Sequence, residues 1–333
     1  LREMRFEQHE LDRYGLKYGD IVMCEGGEPG RCAIWKNHNS AMMIQKALHR
    51  IRPFSCLRPE FLFYFFLYKG RTGHLSSLFT GSTIKHLPRE KLALVEVPVP
   101  PHSTQDRIVS ILSAYDDIIE NNRRRIQLLE ESARLVYKEW FVRLRFPGHE
   151  HVKIVDGVPE GWERRCLGEI ATIKKGKNIT KEIVEEGEVP VIAGGLKPAY
   201  YHSMPNAFAP VITISASGAN AGYIALYHRD IWASDCSYLS RTDNPEIWFL
   251  YLALKSRQTE ITGMQQGSAQ PHVYPKQLER IIISYPSAKL RNLFSESVDA
   301  CFQQINNLEK QIDTLAKARD LLLPRLMNGE IAV

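Results

Sequence analysis

Two groups of residues have the chemistry needed to read a nucleic acid. The first is Lys174-Lys175-Gly176-Lys177-Asn178 with Lys197, Tyr200, Tyr201 and His202, an interleaving of cations and rings on expected loops. Cations of this kind neutralise phosphates, although a plain basic surface reads the same way. The second is Gln265-Gln266-Gly267-Ser268-Ala269-Gln270-Pro271-His272, dense in amides and hydroxyls that suit bidentate contact with adenine edges. An ordinary Gly-Ser loop is its bland alternative. The pattern recurs at Thr80-Gly81-Ser82-Thr83-Ile84-Lys85-His86, and recurrence favours contact through Thr80, Ser82, Thr83, Lys85 and His86. Arg123-Arg124-Arg125 falls inside a long helical pattern, where a solvated face is the default and a phosphate or acidic partner the alternative.

Catalytic constellations are missing from the sequence. Gly26-Gly27-Glu28-Pro29-Gly30 and Ser217-Gly218-Ala219-Asn220-Ala221-Gly222 contain glycines, but each is followed by a β-like run and reads as a hairpin turn rather than a cofactor loop. There is no phosphate-binding G-x-x-x-x-G-K-[ST], no N-P-P-[YF] and no nuclease-like carboxylate-lysine cluster. The adjacent carboxylates Asp116-Asp117 and Glu130-Glu131 fall on the outer faces of a long helix, where solvated charge explains them. His149 and His151 lack a third ligand. The six cysteines lie far apart without zinc spacing, as in a reduced cytosolic chain, so no metal is expected.

An internal repeat must position these groups. Gly81-Ser82, His86, Leu92, Val95, Val97 and Pro100 recur 186 positions later as Gly267-Ser268, His272, Leu278, Ile281, Ile283 and Pro286. Each copy reads as a polar loop, a short helix or turn, and an alternating strand ending in proline. The same offset matches Phe63 with Phe249 and Phe66 with Leu252, and a drift to about 192 matches Gly30-x-x-Ala33-Ile34 with Gly222-x-x-Ala225-Leu226. Strands such as Val211–Ser215 and Ile281–Tyr285, mixed with helices such as Glu246–Lys255, make each globular unit α+β.

A long helical pattern follows each copy. In the second, Val298, Cys301, Ile305, Leu308, Ile312, Leu315 and Leu322 occupy heptad a and d positions, with Arg319 intruding. In the first, the matching positions are Leu112, Tyr115, Ile119, Asn122, Ile126, Leu129 and Val136, with Ala133 opposite the Arg319 position. Two copies of one seam are natural partners, and an unpaired seam would aggregate. The seam is roughly 36 Å long, and whole helices of about 35 to 40 residues reach about 55 Å. Asn122 and Arg319 read as polar positions that set register. Phe146-Pro147-Gly148 ends the first helix, so the chain divides into a first unit at 1–102, a helix at 103–146, a second unit at 147–287 and a helix with tail at 288–333.

Composition agrees with a globular chain and decides little else. The 333 residues are 44% apolar, and 43 basic against 38 acidic side chains give +5, so a nucleic-acid surface must come from local clustering. Apolar runs such as Phe61–Leu67 are far short of the roughly 20 residues of a bilayer span, and no secretory signal opens the chain. A cytoplasmic location without a membrane partner is expected.

Several segments then carry a family resemblance. Glu120-Asn121-Asn122-Arg123-Arg124-Arg125-Ile126, Leu128-Leu129-Glu130, Tyr137-Lys138-Glu139-Trp140-Phe141 and the ending Leu323-Pro324-Arg325-Leu326-Met327-Asn328-Gly329-Glu330-Ile331 resemble the conserved regions of type I restriction-modification specificity subunits. Pro100-Pro101-x-x-x-Gln105-x-x-Ile108 and Gly161-Trp162-Glu163-x-x-x-Leu167-Gly168 resemble the family's openings of a conserved helix and of a target recognition domain. The resemblance implies two target recognition domains alternating with two long helices that pair as an antiparallel coiled coil. It implies that each domain reads half of a split double-stranded DNA site, with the helices as a ruler for the unread gap. It also implies two methylation subunits binding S-adenosylmethionine, restriction subunits using ATP and Mg, and no cofactor on this chain.

One departure is informative. About 48 residues separate Trp162 from Pro210 in the second unit, whereas the counterpart near Gly19 has 18 residues before it and no Trp-x-x-x-x-Leu-Gly mark. A fragment is the favoured explanation, an incomplete first domain the other. The rival reading of the whole chain is a coiled-coil scaffold without DNA readout, against which the matched polar loops count.

Overall fold

The computed structural model describes residues 5–37, 42–267 and 271–333. The chain forms two compact units, Leu1–Arg123 with Lys310–Val333, and Arg124–Glu309. Both boundaries fall inside long helices, because each half-helix packs on its own globular part.

The first unit opens with α1 (Gln8–Tyr14) and a sheet of β1 (Ile21–Cys24), β2 (Cys32–Ile34) and β3 (Leu48–Ile51), in the order β2-β1-β3. Helix α2 (Pro59–Arg71) begins with proline at its first turn, where the missing N–H costs nothing. Leu62, Phe65 and Phe66 of α2 face Ile21 and Met23 of the sheet. Phe61, Tyr64 and Tyr68 join Ile108, Leu112, Leu323 and Leu326 in a second core. After α3 (Arg89–Leu92) comes α4 (His102–Tyr137), a single 36-residue helix. Val95–Val99 forms no strand, contrary to the alternating pattern. An extended run needs a ladder partner, and it has none among the described residues.

The second unit carries a hairpin of β4 (Ile154–Val155) and β5 (Val158–Pro159), then β6 (Glu163–Cys166) and α5 (Leu167–Ile170). β7 (Lys174–Lys175), β8 (Val189–Ile192), β9 (Tyr200–His202), β10 (Val211–Ser215), β11 (Ile224–Tyr227), β12 (Trp232–Ala233) and β13 (Cys236–Ser240) follow. They build sheets ordered β11-β10-β13-β7 and β12-β8-β9. Helix α6 (Ile247–Ser256) is buried from Ile247 to Leu254, with the β10 and β13 sheet and the ring cluster of Tyr137, Phe141 and Phe294 in its core. α7 (Gln258–Gly263) and α8 (Pro275–Glu279) precede β14 (Ile282–Tyr285), which pairs antiparallel with β6 and therefore does form a strand. α9 (Ala288–Met327) has 40 residues.

Within the first unit the start of α4 packs on the end of α9, through Ile108 and Leu112 against Leu323 and Leu326. Within the second, the end of α4 meets the start of α9, with Tyr137 edge-on to Phe294 at 5.9 Å. The helices thus pair antiparallel. Leu112, Ile119, Asn122, Val298, Ile305 and Leu308 are buried, and Tyr115, Ile126, Leu129, Cys301, Ile312, Leu315 and Leu322 are half-buried. Leu323 is more deeply buried than Leu322, because the last turn of α9 also faces α2 and its apolar stripe widens there. No described helix is long and apolar enough to cross a membrane. The six cysteines are free thiols.

Candidate nucleic-acid interface

The polar loops share one construction in the two units. In the first, Thr80 and His86 exchange two backbone hydrogen bonds of 2.8 Å, and in the second Gln266 and His272 exchange bonds of 2.9 and 2.8 Å. A left-handed glycine follows the first residue of each pair, Gly81 at φ +94° and Gly267 at φ +95°. A Cβ at Gly81 would sit 2.2 Å from the Ile84 carbonyl oxygen, so the glycine is a steric requirement. Each loop then lies against a hairpin turn. His86 bridges Gly26, and Leu87 N–H donates to the Glu25 carbonyl at 2.7 Å; His272 bridges Ser217, and Val273 N–H donates to the Ala216 carbonyl at 2.9 Å. Both glycine-containing segments considered as cofactor loops are these turns, joining β1 to β2 and β10 to β11.

In the first loop Ser82, Thr83, Lys85 and His86 are exposed and Thr80 is half-buried. In the second, Gln266 is exposed, and the half-buried His272 ring stacks on Tyr274 at 5.8 Å and 15°. Ser268 and Gln270 lie outside the described residues. Gln265 departs from its expected role, because its Nε2 donates to the Ala221 carbonyl at 2.8 Å and ties the loop to the turn.

Three loops of the second unit converge here. Asn220 Nδ2 donates to the Gly194 carbonyl at 3.3 Å, bringing the exposed Lys197 segment to the turn, and the Ser217 hydroxyl donates to the Asp235 carboxylate. Ser217, Asn220 and Tyr274 belong to this surface although sequence reasoning passed over them. The hairpin assignment of residues 217–222 already placed a turn there, but its neighbours come from tertiary pairing.

The basic group sorts differently. Lys174 and Lys175 form edge strand β7 on β13 rather than a loop. Lys174 pairs with Asp243 at 2.7 Å and, with Ser240, holds that carboxyl below the usual carboxylate range. Lys175, Lys177 and Asn178 are exposed. Lys177 N–H donates to the Ala233 carbonyl at 2.9 Å and Gly176 N–H to the Cys236 carbonyl at 2.8 Å, so this stretch runs beside the segment that carries Asp235.

Tyr200 and His202 are corrected by the strand that holds them. The Tyr200 hydroxyl donates to the Ile179 carbonyl. His202, only 7% exposed, accepts the Glu185 N–H at 3.1 Å and meets Trp232 edge-on at 4.9 Å. Residues on a strand alternate faces, so Tyr201 between them points outward and is 52% exposed. Asp116 is also no solvated charge: it accepts from the Tyr64 hydroxyl at 2.7 Å and pairs with Arg319. No group of three His, Cys, Asp or Glu able to hold a metal occurs among the described residues.

A duplicated α+β unit with a shared polar loop, each copy followed by a long pairing helix, defines a two-domain recognition protein. The family model for the type I restriction modification DNA specificity domain matches residues 5–131 and 159–316, so the chain belongs to that family, whose members are the non-catalytic, target-recognising subunits of these systems. It is 27% identical to the MjaIX specificity subunit of Methanocaldococcus jannaschii, over 95% of this chain and 78% of the relative. It is 23% identical to the HindI specificity subunit of Haemophilus influenzae, over 95% of this chain and 87% of the relative. The crystal structure of a type I restriction-modification S subunit from Mycoplasma genitalium has the same fold, with a TM-score of 0.55, 23% identity, and coverage of 95% of this chain and 84% of that one.

Proposed function

We propose that this specificity subunit reads a split double-stranded DNA target, one half per unit, with α4 and α9 setting the unread gap. The observation that carries the reading is the loop closed by Thr80 and His86 in one unit and by Gln266 and His272 in the other. One architecture used twice, with different side chains on the same frame, suits two half-sites of different sequence. Ser82, Thr83, Lys85 and His86 supply base-edge groups in one copy; Gln266, Ser268, Gln270 and His272 supply them in the other, joined by Lys197 and Tyr201. Lys175, Lys177 and Asn178 serve the phosphates.

The partners follow from the same reading. Leu128 and Leu135 of α4 and Val142, in the π-helical turn Lys138–Val142 that follows it, stand seven residues apart and are 55%, 48% and 58% exposed. Such a stripe suits helices of two methylation subunits, and restriction subunits join the complete assembly in the cytoplasm. In the same reading S-adenosylmethionine, ATP and Mg belong on those partners, as the family resemblance implies.

The test is co-expression with the methylation subunit encoded beside it, followed by mapping of modified adenines across the host genome. A split motif with one fixed gap, lost when this chain is omitted, is the expected result. Stable assembly without sequence-dependent methylation would leave the chain as a scaffold.

A further inference from the structure

A largely buried polar network crosses the helix pair within the first unit. Arg319 of α9, its side chain 13% exposed, pairs with Asp116 of α4 and donates through Nη2 to Asp320 at 2.8 Å. Two residues of α2 complete the arrangement, the Tyr64 hydroxyl donating to Asp116 at 2.7 Å and Arg71 pairing with Asp320. Three helices are therefore joined by bonds whose donors and acceptors must meet in one alignment. About two turns of α9 away, the Asn122 amide donates to Gln311 at 3.2 Å across the same seam. Burial opposes the charge on Arg319, but its bonds to Asp116 and Asp320 outweigh that and raise its pKa above the ordinary guanidinium value.

The second unit shows what the seam uses at the matching positions. The 186-residue period puts Leu250 at the position of Tyr64, Phe302 at that of Asp116 and Ala133 at that of Arg319. All three are buried and apolar, and Phe302 stacks on Trp248 at 4.2 Å and 10°. Apolar packing is non-directional and tolerates a shifted alignment, whereas a shift in the first unit would leave Arg319 and Asp116 buried without partners. A polar group on an apolar seam is the best-attested means of specifying register.

We propose that Arg319 and Asp116, braced by Tyr64, Arg71 and Asp320, are positioning residues that lock the register of α4 against α9 and so fix the length of the unread DNA gap. The inference rests on the split-target reading above. A slip of one helical turn is about 5.4 Å against about 3.4 Å per base pair, so it would alter the gap by one or two base pairs.

The test compares wild type, Asp116→Leu/Arg319→Met and the charge swap Asp116→Arg/Arg319→Asp, each co-expressed with the methylation subunit, by genome-wide methylation mapping and thermal melting. Replacing a buried ion pair by apolar residues is often neutral or stabilising, so the apolar variant is expected to melt at or above wild type. It is also expected to methylate sites with gaps one or two base pairs from the native one, while the swap restores a single gap. An apolar variant that modifies the native gap alone would overturn the proposal. If the apolar variant gives no methylation, the swap decides: recovery of one gap supports the lock, and several gaps or none sinks it. A wild type with no split motif would remove the split-target reading itself, a failure distinct from a wild type with one gap that the variants leave unchanged.

Discussion

His86 and His272 occupy one place in two loops, each closing the loop through its backbone and leaving its ring beside the presented surface. The main chain builds the frame and the side chain is free to vary, which is the division a specificity protein needs. His86→Ala is expected to relax preference at a base of one half-site and His272→Ala at a base of the other, by about 0.5 to 1.5 kcal/mol for a lost single hydrogen bond. Binding competition among single-base variants of the target would measure this, and an effect on the same half from both substitutions would contradict it. The lysines act differently. Lys175→Ala and Lys177→Ala should each weaken binding to all DNA and reduce the log-log salt slope by about 0.9, whereas Lys174, occupied by Asp243, should change it less. Salt titrations of the three variants separate these cases.

At the scale of elements, the long helices carry two faces with different duties. Beside the seam, the surface-exposed Glu130 is held above the ordinary carboxylate range by the desolvation its neighbours impose and by the Glu309 carboxylate, against Lys255, His228 and Arg134. A carboxyl raised in the folded state binds more protons there than in the unfolded chain, so stability falls as pH climbs from the unfolded pKa through the folded one. Glu130→Gln should therefore raise the melting temperature near neutral pH, with the gain vanishing below the ordinary glutamate pKa of about 4.3. Melting curves across that range check the sign. The outward face carries the Leu128, Leu135 and Val142 stripe, where Leu135→Lys should alter stability by no more than about 0.5 kcal/mol. The same variant should lose co-purification of the methylation subunit while retaining direct DNA binding.

For the molecule as a whole, the proposed split-target reading puts the two halves of the target on separate stretches of chain. Exchanging residues 147–287 for the matching stretch of another family member should change one half of the methylated motif and leave the other half intact. Methylation mapping of the chimera reads this directly, and simultaneous change of both halves would show that the units do not read independently.

Much of this was legible without coordinates because the controlling interactions are local or periodic. Heptad spacing requires long helices and their buried stripe, and the recurrence of glycine, serine and histidine at one offset announces a duplicated loop, since both follow from chain geometry alone. The family resemblance supplied the direction of helix pairing. What needed the tertiary structure was every feature decided by a distant partner. Val95–Val99 reads as a strand, but a strand exists only where a neighbour takes its hydrogen bonds, as β6 does for β14. Tyr200 and His202 have the composition of a DNA surface, yet the pairing of β9 with β8 turns them inward and sends Tyr201 out. Asp116 reads as a solvated carboxylate and Arg319 as a polar position that sets register, but only their meeting across the seam, with Tyr64 and Arg71 brought up by α2, makes them one network. Spacing along the chain determines which face a side chain occupies on its own element, whereas the partner it finds there depends on free energies of packing shared among residues hundreds of positions apart.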